Sequence, residues 1–394
     1  MRYKGNGADY FFYESLGFRC KFNGISMRYP LLSLISFCTL FFPLRVCAIQ
    51  SFSLQSEQDL ALTRALPVYI QHRIGDLSIQ GWVQDRIRVE MKMRVLAETR
   101  ELADQEFRKL GLISFEGKDR FEIRVGHSQG VDLVSKMRDR ARNPVQVDLL
   151  IKAPYRSDLS VVLGEGRRMK LEQWRGGVTL SGKNDILFFN DLELSGELSV
   201  NCLQCETDVR NSTLRGRISA GSKPVTLSGV NAKALNIDGG SEEIRIDQSA
   251  GKLTVHTRSG RLTVSRFKGE VQFQSEEGGA YLSQYTGAAD VHTGSGQVVI
   301  DMDEVRGGLN VDTEKSDIQI GLLPAFQGGI DLKSLRGDVI VQFPYESSNA
   351  SHLNRYGPAS SGQVDGSIGR KTRPLIHAYS KQGGVRIIRK VPGR

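Results

Sequence analysis

Cysteine is scarce in this 394-residue chain: of five, Cys20, Cys38 and Cys47 precede residue 49, which leaves Cys202 and Cys205 for the body. Two sulfurs cannot supply the four ligands of a structural zinc centre. A redox C-x-x-C motif expects a βαβ setting, whereas this pair ends the alternating stretch Leu198-Ser-Val200-Asn-Cys202. A local disulfide or two packed thiols is the expected role, ahead of redox or metal chemistry. Apolar runs that could cross a bilayer are missing as well, since residues 31–44 supply an apolar core of about 14 residues where about 20 are needed. Aromatic residues make up 8% of the chain and do not alternate with a basic stripe, so the pattern of a nucleic-acid binder is absent. The turns also lack the aspartates of calcium-binding G-G-x-G-x-D repeats. No cofactor and no bound metal are expected.

Glycine is what the chain has in quantity, 42 residues, and it falls at Gly251, Gly260, Gly269, Gly278, Gly287 and Gly296, a step of about nine. Strand-like alternation follows most of these glycines, as in Gly251-Lys-Leu253-Thr-Val255-His-Thr257 and Gly260-Arg-Leu262-Thr-Val264. One such unit cannot bury its two apolar residues, but stacked copies can. A longer period shows in an apolar-x-Gly marker at Trp174-Arg-Gly176, Leu194-Ser-Gly196, Leu214-Arg-Gly216, Phe267-Lys-Gly269, Tyr285-Thr-Gly287, Val305-Arg-Gly307 and Phe326-Gln-Gly328. The expected fold is mainly β: a parallel β-solenoid of about nine two-stranded coils with a small N-terminal α/β capping module. Leu253, Val271, Ala289, Leu309 and Ile330 should then form one inward column, beside Val255, Phe273, Val291, Val311 and Leu332. On the second sheet Leu262, Ala280, Val298, Ile318 and Val339 should align, next to Val264, Leu282, Ile300, Ile320 and Val341.

In chain order, residues 1–26 read as a mis-assigned upstream start, with Met27 the true one. Residues 27–48 have the form of a signal peptide: a basic Met27-Arg28 start, the apolar core, and a small-residue site at Val46-Cys-Ala48. Cleavage after about Ala48 would put the protein in the periplasm or at the cell surface, with an uncleaved signal anchor as the alternative. Arg45 and Val46 stand where a lipoprotein signal at Cys47 wants small residues. Residues 49–154 read as a strand and helix module capping the first coil, with a helix over 97–110 that Gly111 ends. Solenoid repeats occupy 155–344, a Ser/Gly-rich basic loop 345–375, and a final half-coil with a basic tail 376–394.

Gly126-His127-Ser128-Gln129-Gly130 matches the G-x-S-x-G of a hydrolase nucleophile elbow. Too little chain precedes Ser128 for the strands and helices of that fold, and no HGGG-like oxyanion segment is visible. The motif is therefore expected to be a polar loop, and no catalytic residue is assigned. On the repeats, His256, Gln274, His292, Asp312 and Lys333 occupy equivalent outward positions. At about 4.8 Å per stacked strand, His256 and His292 stand roughly 10 Å apart, too far to share a metal. This outward ladder is the candidate binding surface. From residue 345 onward nine basic residues face two acidic ones, so the tail carries much of the +9 net charge and could touch anionic lipid peripherally or a cell-wall polymer.

The Gly75-Asp-Leu-Ser-Ile-Gln-Gly-Trp82 opening, the Ile151-Lys-Ala-Pro-Tyr-Arg-Ser-Asp-Leu-Ser-Val161 transition and the closing Leu335-Arg-Gly-Asp-Val-Ile-Val341 unit resemble the bacterial putative-adhesin family of repetitive short strands. The resemblance covers most of residues 66–344 and the strand at 384–388. It implies an exported β-solenoid without an assigned catalytic site, and it carries over no functional residues. The expected function is that of a non-enzymatic structural or adhesive element of the cell envelope, binding an envelope polymer or another envelope protein. An envelope scaffold or sensor is the alternative, followed by a serine hydrolase using Ser128.

Overall fold

The computed structural model describes residues 49–127, 145–347, 357–359 and 362–390. The start at 1–26, the signal peptide and Ser128 lie outside the described residues. The described chain is a stack of two-stranded parallel coils. Strand Ala250–Thr257 lies in register on Lys268–Ser275, which lies on Ala280–Thr293, so Leu253, Val271 and Ala289 face one another and continue into Leu309. Val255, Phe273, Val291 and Val311 form the second column. On the opposite sheet Leu262, Ala280, Val298 and Ile318 align, beside Val264, Leu282, Ile300 and Ile320. All of these side chains are buried, and each valine, leucine, isoleucine or phenylalanine contributes on the order of 1.5–3 kcal/mol on leaving water. Alternation at period two puts apolar residues inside and polar ones outside in every rung.

Two kinds of corner close each coil. At one, a residue with positive φ, such as Arg266 or Gln284, precedes a buried side chain, here Phe267 or Tyr285. The marker glycine follows two residues later. Gly269 and Gly287 have φ of +146° and +148°, and a Cβ would lie 1.9 Å and 1.8 Å from the carbonyl oxygen of the glycine one coil below. Only glycine fits there. At the other corner a buried hydroxyl recurs: Thr257, Ser275, Thr293, Thr313, Ser380 and Ser334 stack in register. Ser275 Oγ accepts the N–H of Gly278 at 2.7 Å, and Ser334, Ser380 and Thr293 do the same for Gly337, Gly383 and Gly296. The device is Ser/Thr-x-x-Gly, a side chain completing its own turn. It reads as polar loop in the sequence, and the nine-residue glycine step gave no hint of its burial.

The two ends depart from chain order. Strands Leu375–Ser380 and Val385–Arg389 were expected to add a last half-coil, but they form a complete coil between the rung at 309–322 and the rung at 328–341. The column at Leu309 therefore continues through Ile376 to Ile330, and that at Val311 through Ala378 to Leu332. Val385 and Ile387 separate Ile318 and Ile320 from Val339 and Val341 in the same way. At the other end Val68–His72 and Leu77–Trp82 lie between the later strands Phe121–His127 and Gln146–Pro154 and the rung formed by Leu159–Glu165 and Arg168–Glu172. Ten coils come from residues 159–341, two from the N-terminal module and one from the C-terminal segment, so the described residues form thirteen. The expectation of about nine counted only the regular repeats.

Antiparallel strands finish both ends. Gln146–Pro154 pairs with Arg86–Ala97, which pairs with Gln50–Ala61. Phe121–His127 pairs with Leu110–Glu116. The helix is Arg100–Lys109, capped by Thr99, whose hydroxyl accepts the N–H of Leu102. It buries Ala103 and Phe107 and leaves Leu102 exposed, and the chain passes directly into an extended Leu110 with no glycine stop. Gly111 is a strand residue. At the far end Gly328–Ser334 pairs with Gln363–Ile368, and Val339–Val341 pairs with Gly357–Ala359, so the segment read as a loop at 345–375 supplies the closing strands. No helix among the described residues is long and apolar enough to cross a membrane.

Candidate functional site

Parallel register lifts the outward residues into rows. His256, Gln274, His292 and Asp312 stand on successive rungs, as the repeat required. Lys333 follows only after Tyr379 of the inserted coil. The neighbouring outward row runs Thr254, Gln272, Asp290, Asn310, His377, Asp331. Together the rows bring five side chains into an alternating acid and imidazole chain. His292 Nε2 lies 2.9 Å from Asp290 Oδ1 and its Nδ1 3.1 Å from Asp312 Oδ2. His377 Nε2 lies 3.7 Å from Asp312 Oδ1 and its Nδ1 2.9 Å from Asp331 Oδ2. Asn310 Nδ2 donates to Asp290 Oδ1 at 2.8 Å. All five chain members are partly exposed.

A shallow groove of about 490 Å³ adjoins this chain, lined by Gln272, Asp290, Gly307, Gly308, Asn310 and His377 among others. It exists because Gly307 and Gly308, at φ +91° and +111°, carry a two-residue bulge that shifts the register between Gly287 and Ala289. Sequence reading found His292 and Asp312 but missed Asp290, Asp331 and His377. Asp290 and Asp331 were visible as outward positions of the repeat. His377 was not, because its rung is placed by insertion.

Cys202 and Cys205 form a disulfide across one turn, with Cα atoms 5.6 Å apart. Their sulfurs and the Asp185 carboxylate lie within 4.8 Å of one another and are buried. Asp185 also accepts the N–H groups of Arg167 and Lys183 at 2.8 and 2.7 Å. Bonded sulfurs and a carboxylate committed to backbone amides make this a closed structural corner. His72 occupies the equivalent corner near the N-terminal end, fully buried beside the Gly75 backbone. Burial pushes its pKa down to about 4. The hydroxyl of Tyr285 donates to the carbonyl of Gly269 at 2.9 Å, and burial pushes its pKa up.

On the antiparallel extension, Arg86 and Arg88 lie over the Trp82 ring at 5.5 and 5.9 Å, and both pair with Asp59 of the edge strand Gln50–Ala61. The Arg88 hydrogen bond holds the Asp59 carboxyl below the usual range.

Comparison with known proteins places the repeats. The family model described as Toastrack DUF4097 matches residues 190–371. No curated protein matches. Among solved structures, a putative cell adhesion protein from Clostridium sporogenes aligns with 9% identity over 86% of this chain and 100% of its own, at a TM-score of 0.18. A putative adhesin from Bacteroides fragilis aligns with 8% identity over 85% and 97%, at 0.25. A putative lipid binding protein from Parabacteroides distasonis aligns with 8% identity over 85% and 96%, at 0.24. The family match thus falls on the stretch of repetitive short strands in which the sequence resemblance was seen.

Proposed function

We propose that the chain is an exported, non-enzymatic β-solenoid that serves as a structural or adhesive element of the bacterial cell envelope. The observation that carries this reading is the row His256, Gln274, His292, Asp312, Tyr379, Lys333, in which exposed polar groups repeat at rung spacing on a rigid stack. A periodic row of this kind matches a repeating polymer, and a rigid frame lowers the ordering cost of many weak contacts. The test is retention of purified protein on isolated envelope polymer. Changing His256, Gln274, His292, Asp312 and Lys333 together to alanine should cut retention about tenfold or more. Undiminished retention rejects the ladder, and Ser128-dependent labelling by a fluorophosphonate probe rejects the non-enzymatic reading.

A second reading, a scaffold for another envelope protein, is favoured by the edge strand Gln50–Ala61. Its paired edge faces Arg86–Ala97, and along its length it is largely exposed. Such an edge can accept an added strand, and the Arg-stacked Trp82 nearby is the type of side chain that anchors protein interfaces.

A further inference from the structure

We propose that a notch on the second sheet, between Arg261 and Gln297, is a binding site for a neutral saccharide. Ile244, Leu262, Ala280 and Val298 stack in register, so the residues just before them, Glu243, Arg261, Gly279 and Gln297, form one outward row. Three of these carry long polar side chains. Gly279 carries none, and a Cβ there would lie 2.5 Å from the Gln297 carbonyl oxygen. The gap it leaves belongs to a shallow cavity of about 410 Å³ that Ser241, Glu277 and Tyr281 also line, a volume within the range of about 300–1,000 Å³ typical of ligand clefts. The proposal goes beyond the adhesive reading, whose ladder lies on the other sheet, and either can fail without the other.

The walls are held in place by the protein itself. The Tyr281 hydroxyl donates to Gln297 Oε1 at 3.0 Å, and the Arg261 guanidinium lies 4.9 Å from the centre of the Tyr281 ring. Glu277 sits in a hydroxyl corner, where its own amide donates to the Arg258 carbonyl at 2.9 Å and that of Gly278 donates to Ser275 Oγ. Glu243 accepts the Thr263 hydroxyl at 2.6 Å and an Arg245 N–H at 2.7 Å, which hold its carboxyl below the usual range. Groups ordered in advance lower the cost of binding.

The inventory of donors and acceptors sets the ligand class. Among the described residues the Arg261 guanidinium has no carboxylate within ion-pair distance, and the Glu277 carboxylate accepts no hydrogen bond. Arg261 and the Gln297 amide therefore offer donors, while Glu277 and Glu243 offer acceptors. Two carboxylates against one guanidinium disfavour an anion. Among the described residues neither glutamate belongs to a group of ligands close enough to share a metal ion, and an apolar ligand would desolvate these polar groups without replacing their hydrogen bonds. A sugar hydroxyl both donates and accepts, so adjacent hydroxyls of one ring can engage carboxylate, guanidinium and amide together. The backbones of Gly278, Gly279 and Gly296 in the lining allow that ring a close approach.

The experiment uses the full purified chain with maltotriose, cellotriose and triacetylchitotriose as probes, followed by saturation-transfer NMR and calorimetry. At least one should bind saturably at one site per chain. Arg261→Gln, Glu277→Gln and Gln297→Ala should each weaken that binding about tenfold, and Ser241→Trp, which puts bulk into the notch, should abolish it. His256→Gln, on the other sheet, should leave it unchanged. All these positions are exposed, and an unchanged denaturation midpoint would confirm that each variant folds. Trigalacturonate and inorganic phosphate should not compete. Absence of saturable binding by all three sugars overturns the proposal. So does binding that survives the Arg261 and Glu277 variants, or that either anion displaces.

Discussion

The two halves of the solenoid solve one problem in different ways. From Thr257 to Ser334 each coil turns on a buried hydroxyl that receives the amide of its own turn or bonds a neighbouring backbone carbonyl. Nearer the N-terminus the same position is held by His72 and Leu163, in register with each other, and then by Gly182 and Cys202. There the turn amides are met singly, by the Asp185 carboxylate at Arg167 and Lys183, while a disulfide ties the next corner. The hydroxyl device tolerates coils of different length, since Thr257, Ser275 and Thr293 are 18 residues apart whereas Thr313 and Ser334 follow at intervals of 20 and 21. The individual corners nearer the N-terminus do the same. The comparison teaches that the repeat fixes the walls of the coil, while each corner is free to find its own donor and acceptor.

The steepest test of this contrast is at the other corner, which both halves share. Gly269→Ala puts a Cβ 1.9 Å from the Gly251 carbonyl oxygen and 2.9 Å from its carbonyl carbon and nitrogen, at a φ that side chains avoid. We expect a loss of about 4 kcal/mol or more, or an insoluble product. Gly111→Ala, where a Cβ meets nothing within 4 Å, should be silent in the same denaturation assay. Equal effects at the two positions would mean that close rung contact does not select glycine.

The next effect depends on acidity and belongs to the N-terminal half alone. The pKa of His72 is lowered from 6.5 to about 4 by burial. A group depressed on folding binds more protons when unfolded, so stability rises with pH through that window. The contribution of His72 is complete above pH 6.5 and is lost progressively as pH falls toward 4, amounting to about 3 kcal/mol. Hydrogen exchange at Val68–His72 and its neighbours should therefore quicken in acid before the hydroxyl corners respond. His72→Leu, matching Leu163 on the next rung, should flatten that slope. An unchanged acid slope in the variant would remove His72 from the account.

Much of this was legible beforehand, and the limits have a physical origin. Alternation fixed which residues point inward, so Leu253, Val271 and Ala289, and likewise Val255, Phe273 and Val291, are neighbours as read. Any glycine-led alternating segment fits any rung, however, so periodicity cannot rank segments that arrive from a chain end. Ile376 and Ala378 therefore entered columns expected to close without them, and His377 joined a surface on which only His292 and Asp312 had been placed. The corner hydroxyls were hidden for a different reason: serine and threonine beside glycine look like solvent-exposed turn, and only stacking buries them. Ser128 lies outside the described residues, while Gly126 and His127 of that motif close the strand Phe121–His127.

The smallest effect tests the hydroxyl corner itself. Ser275 Oγ accepts from the Gly278 amide at 2.7 Å, donates to the Arg258 carbonyl at 3.1 Å, and lies 3.1 Å from Thr257 Oγ1, whose single proton it shares with the Gly260 carbonyl. Ser275→Ala strands a buried amide while Thr257 keeps its bond to the Gly260 carbonyl, so the net cost should be about 1–3 kcal/mol. Ser275→Thr should cost little, because Thr257 and Thr293 fill the same site directly below and above. The pair of variants separates two explanations of the even spacing. If the hydroxyl sets the corner, alanine weakens hydrogen-exchange protection of Gly278 selectively and threonine restores it. If the corner is held by rung stacking alone, the two variants behave alike, and the distinction between the halves is one of composition only.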